Sequence, residues 1–531
     1  MDTQYDGLIL GAGHNALVLQ AYLCKAGLKV ACIERREIAG GGLTTEEHGR
    51  GFLHNTHSFY HRALTQMPWY RDLQLARHGA TYIEPELNVA LLTGDGAALE
   101  WWTDFDRTFA SFAQFSRRDA ESARRWREEF ATIVERILIP EAQSPPLPPA
   151  QRQVLLSRSI EGRRLLEVSR LSPREFVLRE FEHPVVQAGL LFFNGLREVD
   201  LRQKGFGHHI PALLASKGKA QMCRGGSAKL AQALVAAVEE AGGRVILETE
   251  PKEILLEGDR VVGVETITGE RFTARHFVAS ALNPQQTFLE LIAPGALPRA
   301  WREKARAFHY NILGPLFGLY LELDEAPAYD IVKTYPHLEQ AFMVIMGLAD
   351  PADFDAIVHH HESGSMPPTV TWGSAPTLFD PSQAPTDKHT AFMWEKLPYA
   401  LAGEPSQWDQ VKEKHGRQMF SLWSEHAPNL PDVLIDSFVR SPLDIERNLL
   451  NMRGGDLLVG AFSGDQVGYH RPFAGAGEYR GHLKGLYLCG SSSHPGGNIT
   501  GLPGYNCAQV MFADLGLKAE WIPDFLQNRL P

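Results

Sequence analysis

The chain opens with two apolar runs that enclose a stretch of helical spacing. Residues 7–10 and 28–33 have the length and composition of buried strands. Residues 16–26 carry apolar side chains at helical spacing, and Gly27 is a residue that commonly ends a helix. This order predicts a strand, a helix and a second strand packed together.

Two longer patterns follow this opening unit. Short alternating stretches from 79 to 102, with a Thr-Gly-Asp-Gly turn at 93–96, predict antiparallel sheet. From 104 to about 174 apolar residues recur at helical spacing, interrupted by four prolines between 145 and 149. We interpret this region as a helical insertion packed on its own domain. Lining a substrate cavity or lying on a membrane surface are the alternatives.

Sheet and helix patterns alternate through the rest of the chain. A glycine-rich turn at 224–227 precedes a predicted helix at 228–241, a strand at 244–247 and a meander over 253–281. Residues 301–455 mix strand-like runs with a helix near 408–427, which predicts a separate substrate-binding domain. A buried strand is predicted at 485–490 and an apolar helix from Cys507.

Glycines stand where the first strand turns into the helix. Gly11 and Gly13 would let a diphosphate approach the backbone N–H groups at a helix start, and Ala16 allows close packing of helix on strand. Glu34, at the end of the second strand, is placed to accept hydrogen bonds from ribose hydroxyls. The pattern predicts a dinucleotide site.

Further glycines favour FAD over NAD. A glycine run at 40–42 suggests a longer cofactor that is touched at several points. Glycines between 496 and 504 would let backbone approach a flat ligand, and the following helix N-terminus would favour the electron-rich edge of a reduced flavin. The two ends of the chain are therefore expected to meet on one FAD.

Composition narrows the class of protein. The 531 residues exceed one simple core, which predicts two or three domains. The net charge is −11 and positive and negative residues are mixed along the chain, so the sequence predicts no basic surface for binding nucleic acid. Five cysteines without a Cys-x-x-Cys pair suit a reducing compartment, and no segment has the pattern of a signal peptide or membrane span. We expect a cytoplasmic protein, soluble or peripheral to a membrane.

Taken together, the motifs resemble FAD-dependent oxidoreductases of the carotenoid (phytoene) desaturase type, including the desaturase-like carotene ketolases. The resemblance rests on Gly-Ala-Gly-His-Asn at 11–15, the acid and glycines at 34–41, the unit at 225–226, and the glycine-rich segment at 485–506. It implies an α/β fold with a Rossmann-like, GR2-type FAD-binding domain assembled from 1–103, 221–300 and 456–531. A mixed α+β substrate-binding domain with the helical insertion would take 104–220 and 301–455.

The resemblance also implies which residues contact FAD. The diphosphate would lie on the first glycine turn, the ribose on Glu34, and the flavin near the C-terminal glycines. Two departures stand out: Gly42 replaces a frequent arginine, and Pro251 has no amide hydrogen where a valine backbone usually brackets adenine. The implied set is Gly11, Gly13, His14, Asn15, Ala16, Glu34, Arg35, Gly41, Gly42, Leu43, Thr44, Pro251, Gly490, Gly497, Asn498, Ile499 and Thr500.

Candidate catalytic residues are fewer. His57 is the candidate for a general base or for a hydrogen bond to a substrate oxygen, with packing or cofactor positioning as the competing interpretation. Tyr505 and His494 flank the flavin segment by resemblance and are candidates to face substrate, although Tyr505 also suits a packing role. Histidines 54, 57 and 61 could mimic metal ligands on a helix, but no cysteine or carboxylate completes a set, and no metal is expected. Histidines 359–361 are expected in a polar surface loop.

Three functions fit this sequence. The leading hypothesis is an FAD oxidoreductase that dehydrogenates or oxidises C–H bonds of an apolar or partly apolar small organic molecule by hydride transfer to flavin N5. The alternatives are an amine oxidase of the same architecture and a non-catalytic carrier resembling Rab GDP-dissociation inhibitors. The electron acceptor stays open between oxygen, a quinone and another partner.

Overall fold

Nineteen strands form four sheets within residues 4–521, which the computed structural model describes apart from the side chains of 193–198. The strands are β1 (Gln4–Leu10), β2 (Val30–Ile33), β3 (Thr45–Glu47), β4 (Leu53–Asn55), β5 (His61–Arg62), β6 (Tyr82–Ile83), β7 (Leu87–Leu92), β8 (Ala98–Trp102), β9 (Ala220–Cys223), β10 (Arg244–Ile246), β11 (Pro251–Glu257), β12 (Arg260–Thr266), β13 (Arg271–Ser280), β14 (Phe317–Leu323), β15 (Val344–Met346), β16 (Thr371–Ser374), β17 (His389–Glu395), β18 (Leu434–Arg440) and β19 (Leu486–Leu488).

Helices surround these sheets in the described part of the chain. They are α1 (His14–Lys25), α2 (Pro68–Asp72), α3 (Phe105–Phe115), α4 (Arg117–Ile133), α5 (Ile139–Ala142), α6 (Pro149–Ser157), α7 (Ile160–Ser169), α8 (Pro173–Glu180), α9 (Pro184–Glu198), α10 (His209–Ala215), α11 (Ala228–Glu240), α12 (Arg299–Ala307), α13 (Pro351–Ser363), α14 (Trp408–His426), α15 (Leu430–Val433), α16 (Pro442–Asn448) and α17 (Leu502–Asp514). None of them is long and apolar enough to cross a membrane.

The first sheet carries the opening unit predicted from sequence. Its strand order is β10-β2-β1-β13-β12-β11, and β19 also pairs with β13. Strands β10, β2, β1, β13 and β19 are parallel, which places their carboxyl ends at one edge. Helices α1, α11 and α17 share one apolar core on this sheet. The predicted Rossmann-like α/β architecture is confirmed, and ligands bind at such a carboxyl edge.

The second sheet has the order β18-β14-β17-β16-β15-β7-β8. Its pairs are antiparallel except β15 with β7, where Val344 lies opposite Ala90. The boundary expected at residue 103 is therefore wrong, because β7 and β8 belong to this sheet and not to the cofactor-side sheet. An alternating pattern predicts a hairpin, but it does not say which sheet the hairpin joins.

Helices α3–α7 lie within the helical insertion expected over 104–174, and α8–α10 continue the helical region to Ala215. Several begin with a side chain that accepts a backbone N–H, as Ser116 does for α4 and Ser172 for α8. The proline cluster ends at Pro149, which occupies the first turn of α6, where a missing amide hydrogen costs nothing. Trp126 and Phe130 of α4 are buried in a core that also includes β16 and β17 of the second sheet. The insertion therefore packs on the substrate side of the molecule.

Two local expectations are wrong. Helix α17 begins at Leu502 and not at Cys507, because Gly504 is a helical glycine whose Cβ would lie 2.0 Å from the carbonyl oxygen of Asn15. Histidines 359–361 lie in α13 and not in a loop, and His361 is buried with its Nδ1 bonded to the Ile312 oxygen at 2.8 Å. His54 and His61 lie in strands β4 and β5 and His57 lies in the bend after β4, so the alternative of metal ligands on a helix has no support.

Candidate functional site

The turn between β1 and α1 leaves backbone open to a cavity. Gly11 has a φ of +84°, which favours glycine, and Gly13 is the N-cap of α1. A Cβ on Gly13 would meet nothing within 4 Å, so space lies in front of the helix N-terminus. The N–H groups of the first helical turn lack intrahelical partners and favour an anion such as a diphosphate.

Glu34 follows β2 with both carboxylate oxygens held. Its Oε2 accepts a hydrogen bond from the Ala12 nitrogen at 2.9 Å, and its Oε1 accepts from the Arg36 nitrogen at 3.0 Å. These bonds fix the carboxylate beside the first glycine turn. Each oxygen retains acceptor capacity for a ribose hydroxyl.

The glycines at 40–42 form a second turn against the first. The Gly40 nitrogen donates to the Ala12 oxygen at 2.7 Å, and a Cβ on Gly41 would lie 3.3 Å from the Gly13 Cα. Thr44 supports this turn, because its hydroxyl donates to the Gly41 oxygen at 2.8 Å. The close approach of two backbones explains why both turns need glycine.

Arg36 supplies positive charge beside this second turn. Its Nη1 donates to the Gly41 oxygen at 3.4 Å, and the side chain lines the cavity. Burial lowers the pKa of Arg36, while Glu34 and Glu46 act in the opposite direction. The sequence prediction named Arg35 and not Arg36, and it expected a missing cation at Gly42. The position of Arg36, two residues after the ribose acid, was the available signal.

The two ends of the chain meet here. The ring Nε2 of His14 lies 3.2 Å from the carbonyl oxygen of Asn498, which has a left-handed φ of +76°. Burial lowers the pKa of His14 to about 4, so the ring is neutral near pH 7. A Cβ on Gly490 would lie 2.2 Å from the Ala281 oxygen, which explains the glycine after β19.

These segments border one cavity of about 300 Å³. Among the residues predicted to contact cofactor, those lining it are Gly11, Gly13, His14, Asn15, Ala16, Glu34, Arg35, Gly41, Gly42, Pro251, Gly490, Asn498 and Ile499. Leu43, Thr44, Gly497 and Thr500 are not among the lining residues. Thr500 accepts a hydrogen bond from Trp69 Nε1 at 2.7 Å, and a Cβ on Gly497 would lie 2.2 Å from the Leu458 oxygen. These two residues therefore brace the cavity wall.

The glycine unit at 224–227 has a different role. A Cβ on Gly226 would lie 2.5 Å from Thr45 Oγ1, and the Ser227 nitrogen donates to Asn55 Oδ1 at 2.8 Å. Neither Gly225 nor Gly226 lines the cavity. Its cofactor-like sequence therefore reflects close packing against the β3–β4 hairpin.

Beyond the glycine turns the cavity wall becomes aromatic. We call the five residues of this wall the aromatic arm: Phe59, Tyr60, Leu316, Trp372 and Trp394. The ring centroids of Tyr60 and Trp394 lie 6.0 Å apart, and those of Trp372 and Trp394 lie 6.4 Å apart. The arm was not predicted from sequence, because tryptophans in strands usually belong to a core.

His57 lines the cavity at the start of this arm and is the last member of a hydrogen-bond chain. Thr56 Oγ1 donates its single hydrogen to Glu46 Oε1 at 2.9 Å. It must therefore accept from His57 Nδ1, which lies 2.9 Å away. This assigns the hydrogen to Nδ1 and leaves a lone pair on Nε2. Arg440 donates to the other oxygen of Glu46 at 2.8 Å, which completes the support.

The pKa of His57 agrees with a neutral ring. Burial lowers this pKa to about 4, although Glu46 acts in the opposite direction. A neutral imidazole with a lone pair on Nε2 can accept a proton or a hydrogen bond from a substrate. The geometry therefore suits the base role predicted for His57.

Tyr505 does not line the cavity, although it was a catalytic candidate. It is fully buried in α17 and packs edge to face on Tyr22, with the ring centroids 5.6 Å apart. Its ring also contacts Trp521. His494 bonds the Glu141 oxygen at 3.0 Å and lies outside the lining as well. Tyr505 therefore packs α17 against α1, and His494 contacts the backbone of α5.

Lys396 places an ammonium group at the aromatic arm. It follows β17, is 5% exposed, and its Nζ donates to the Gly314 oxygen at 3.2 Å. Nζ lies 6.0 Å from the ring centroid of Trp372. Asp456 is the nearby buried carboxylate, and it accepts three backbone N–H groups, those of Asn311, Leu458 and Gly460. Burial raises the pKa of Asp456, and these donors together with Lys396 oppose the rise.

A helix N-terminus and a ribose acid alone would suit NAD as well as FAD. Here one cavity is lined by both glycine turns, by Gly490 and Asn498 from the C-terminal segment, and by the aromatic arm. The residues fit FAD, and the fold and site together define an FAD-dependent oxidoreductase.

Comparison with known proteins identifies the family. Residues 21–399 match the flavin containing amine oxidoreductase family, and the chain belongs to it. A relative is a subunit of the limonene dehydrogenase of Castellaniella defragrans, 31% identical, with 98% of this chain and 96% of that protein covered. A lycopene-forming phytoene desaturase of a Paracoccus species is 24% identical, with 96% and 97% covered.

The fold is also found among solved structures. Putrescine oxidase bound to putrescine superposes with a TM-score of 0.62 at 14% identity, covering 96% of this chain and 99% of that one. At this identity the likeness concerns the fold. The resemblance to desaturases is therefore confirmed only as distant kinship within a wider flavoenzyme family.

Proposed function

We propose that the protein is a dehydrogenase that removes hydride from a C–H bond of a neutral, apolar or partly apolar organic molecule. The observation that carries this proposal is the aromatic arm, which continues the FAD cavity and offers an apolar surface beside one base, His57. When bound, FAD accepts the hydride. The relative named as part of a limonene dehydrogenase supports a hydrocarbon of isoprenoid type.

The aromatic arm and His57 have different roles in the proposed reaction. Phe59, Tyr60 and the two tryptophans bind the substrate and exclude water. Loss of a hydride leaves a cationic carbon, and removal of a proton from the neighbouring carbon then gives a C=C bond. The lone pair on His57 Nε2 accepts that proton, while Thr56 and Glu46 hold the ring in the required tautomer.

The charges of the cavity favour a neutral substrate over an amine. The carboxylates among the described lining residues are Glu34, Glu250 and Glu290, which lie beside the strands of the first sheet at the adenosine end. Lys396 is the charged lining residue at the aromatic arm, with Asp456 outside the lining, and its ammonium group repels a protonated amine. A neutral substrate avoids this repulsion.

Anaerobic mixing of the yellow holoprotein with candidate substrates tests the proposal. We expect neutral cyclic or linear isoprenoid alkenes such as limonene to bleach the flavin absorption, and putrescine and cyclohexylamine to leave it unchanged. Bleaching by the amines alone would reject the proposal in favour of amine oxidation. Reoxidation of the bleached enzyme by oxygen, compared with a soluble quinone, tests these two acceptors, and reoxidation by neither would point to another partner.

We also propose peripheral contact of the α6–α7 region with a membrane, from which an apolar substrate can enter. Val154 is 56% exposed and Ile160 is 75% exposed, and both stand near Arg158 and Arg163. Co-sedimentation with anionic vesicles checks this contact, with a variant carrying Val154→Ser and Ile160→Ser for comparison. Equal sedimentation of both proteins would reject it.

A further inference from the structure

We propose that His48, His54, Glu322 and Asp436 form a binding site for one divalent ion of the Zn²⁺ type. The four residues come from two parts of the chain. His48 and His54 belong to the β3–β4 hairpin, while Glu322 of β14 pairs across the strands with Asp436 of β18. The ligand atoms of His48, Glu322 and Asp436 all lie within 4.8 Å of one another.

His54 is the observation that points to a ligand. Its side chain is only 2% exposed, and its Nε2 has no hydrogen-bond partner among the residues that the structure describes. This nitrogen lies 3.7 Å from Glu322 Oε1, so it is directed at the carboxylate without bonding to it. A buried polar atom without a partner is costly, and a bound ion would satisfy it.

The two separations from Glu322 lie close to those of a tetrahedral site, while His54 stands outside the group of His48, Glu322 and Asp436 and would move toward it on binding. Bonds of about 2.0–2.2 Å to nitrogen and oxygen place tetrahedral ligands about 3.3–3.6 Å apart. His48 Nδ1 lies 3.1 Å from Glu322 Oε1, and His54 Nε2 lies 3.7 Å from the same oxygen. The Gly49 nitrogen donates to this oxygen at 2.6 Å and would orient the carboxylate from outside the ligand shell.

Charge and access also fit an ion. Two carboxylates balance a divalent cation, and two imidazoles favour Zn²⁺ or a similar transition metal over Mg²⁺ or Ca²⁺. Asp436 and the His48 side chain, which is 38% exposed, give the ion a path from solvent. The expectation of no metal considered histidines 54, 57 and 61 and found no carboxylate, because Glu322 and Asp436 are more than 250 residues distant in sequence.

The site would join the β3–β4 hairpin to the second sheet. The hairpin continues into Thr56 and His57, and the Tyr320 hydroxyl donates to the Thr56 oxygen at 3.0 Å from the same strand as Glu322. The ion would therefore hold in place the hairpin that continues into Thr56 and His57, without contacting the substrate.

Zinc binding to the chelator-treated holoprotein tests the site, in a background with His359→Asn and His360→Asn to remove a competing histidine run. We expect one tightly bound Zn²⁺ per chain by equilibrium dialysis with elemental analysis, and a rise of the thermal midpoint. His48→Asn and Asp436→Asn should each weaken binding by at least about tenfold and abolish the thermal rise. The exposed residues His276 and Asp432 provide matched controls, His276→Asn and Asp432→Asn, which should bind like the parent.

Two results would overturn the proposal. One is the absence of saturable binding to the parent protein. The other is binding by His48→Asn and Asp436→Asn with the affinity of the controls. In either case the cluster is a histidine–carboxylate hydrogen bond that satisfies Glu322.

Discussion

Replacing Thr56 by valine tests the chain that ends on His57. The two side chains have similar shape, and Thr56 is only 1% exposed, so the substitution removes a hydroxyl with little change in packing. His57 Nδ1 then loses the acceptor that lies 2.9 Å away, and Glu46 loses a donor. The hydrogen is no longer confined to Nδ1, and a ring with its hydrogen on Nε2 cannot accept a proton there.

The expected loss follows from the hydrogen bond. A buried donor without a partner costs about 1–3 kcal/mol. If this energy no longer favours the productive tautomer, the rate of proton acceptance falls by about 5-fold to 150-fold. The same loss lowers the free energy of unfolding by a similar amount.

The assay is the anaerobic rate of flavin bleaching by a neutral alkene, with FAD content and thermal midpoint measured on the same sample. Thr390→Val is the matched control, because Thr390 is equally buried and its Oγ1 has no hydrogen-bond partner. It should bleach at the parent rate. If Thr56→Val also bleaches at the parent rate with full FAD content, the relay has no role in the reaction.

Three other predictions follow from the site. Gly13→Val should fold, because a Cβ at this position meets nothing within 4 Å. The variant should purify colourless, without FAD, because the valine side chain fills the space for the diphosphate. A yellow variant with the circular dichroism of the parent would contradict this prediction. Lys396→Met should strengthen cyclohexylamine binding about 30-fold, since two cations about 8 Å apart repel by about 2 kcal/mol at an effective dielectric of about 20; unchanged binding in a flavin difference titration would refute the charge argument. The free energy of unfolding should fall as the pH is lowered from 6.5 to 4. Over this range the buried histidines, with folded pKa values of about 3 to 4, stay neutral in the folded protein, whereas the same histidines bind a proton in the unfolded chain. Each contributes about 1.4 kcal/mol per pH unit, and a flat thermal midpoint over this range would contradict it. These histidines are His14, His54, His57, His61, His361 and His494.

The cofactor half of the site could be predicted because its constraints are local. Gly11, Gly13 and Glu34 stand within one strand–helix–strand unit, where backbone approach and strand length fix their relation in space. The aromatic arm could not be predicted in this way. Trp372 and Trp394 reach the cavity through the pairing of β16 with β17. The local pattern of apolar and polar residues does not predict which strands pair when they are far apart in sequence.

The same distinction explains the errors. Gly504 looks like a loop glycine until α1 is packed against α17, and β7 looks like part of the first domain until it pairs with β15. The relay of Glu46, Thr56 and His57 combines residues from β3 and from the segment after β4, and the hairpin register that joins them depends on packing against the second sheet.

The most direct test of the proposed chemistry compares two ligands of one ring size, a neutral cyclic alkene and cyclohexylamine, in anaerobic single-turnover bleaching of the flavin. We predict that the alkene alone bleaches the flavin, and that deuterium at its oxidised C–H position slows the bleaching. Bleaching by the amine with none by the alkene would contradict the proposed dehydrogenation.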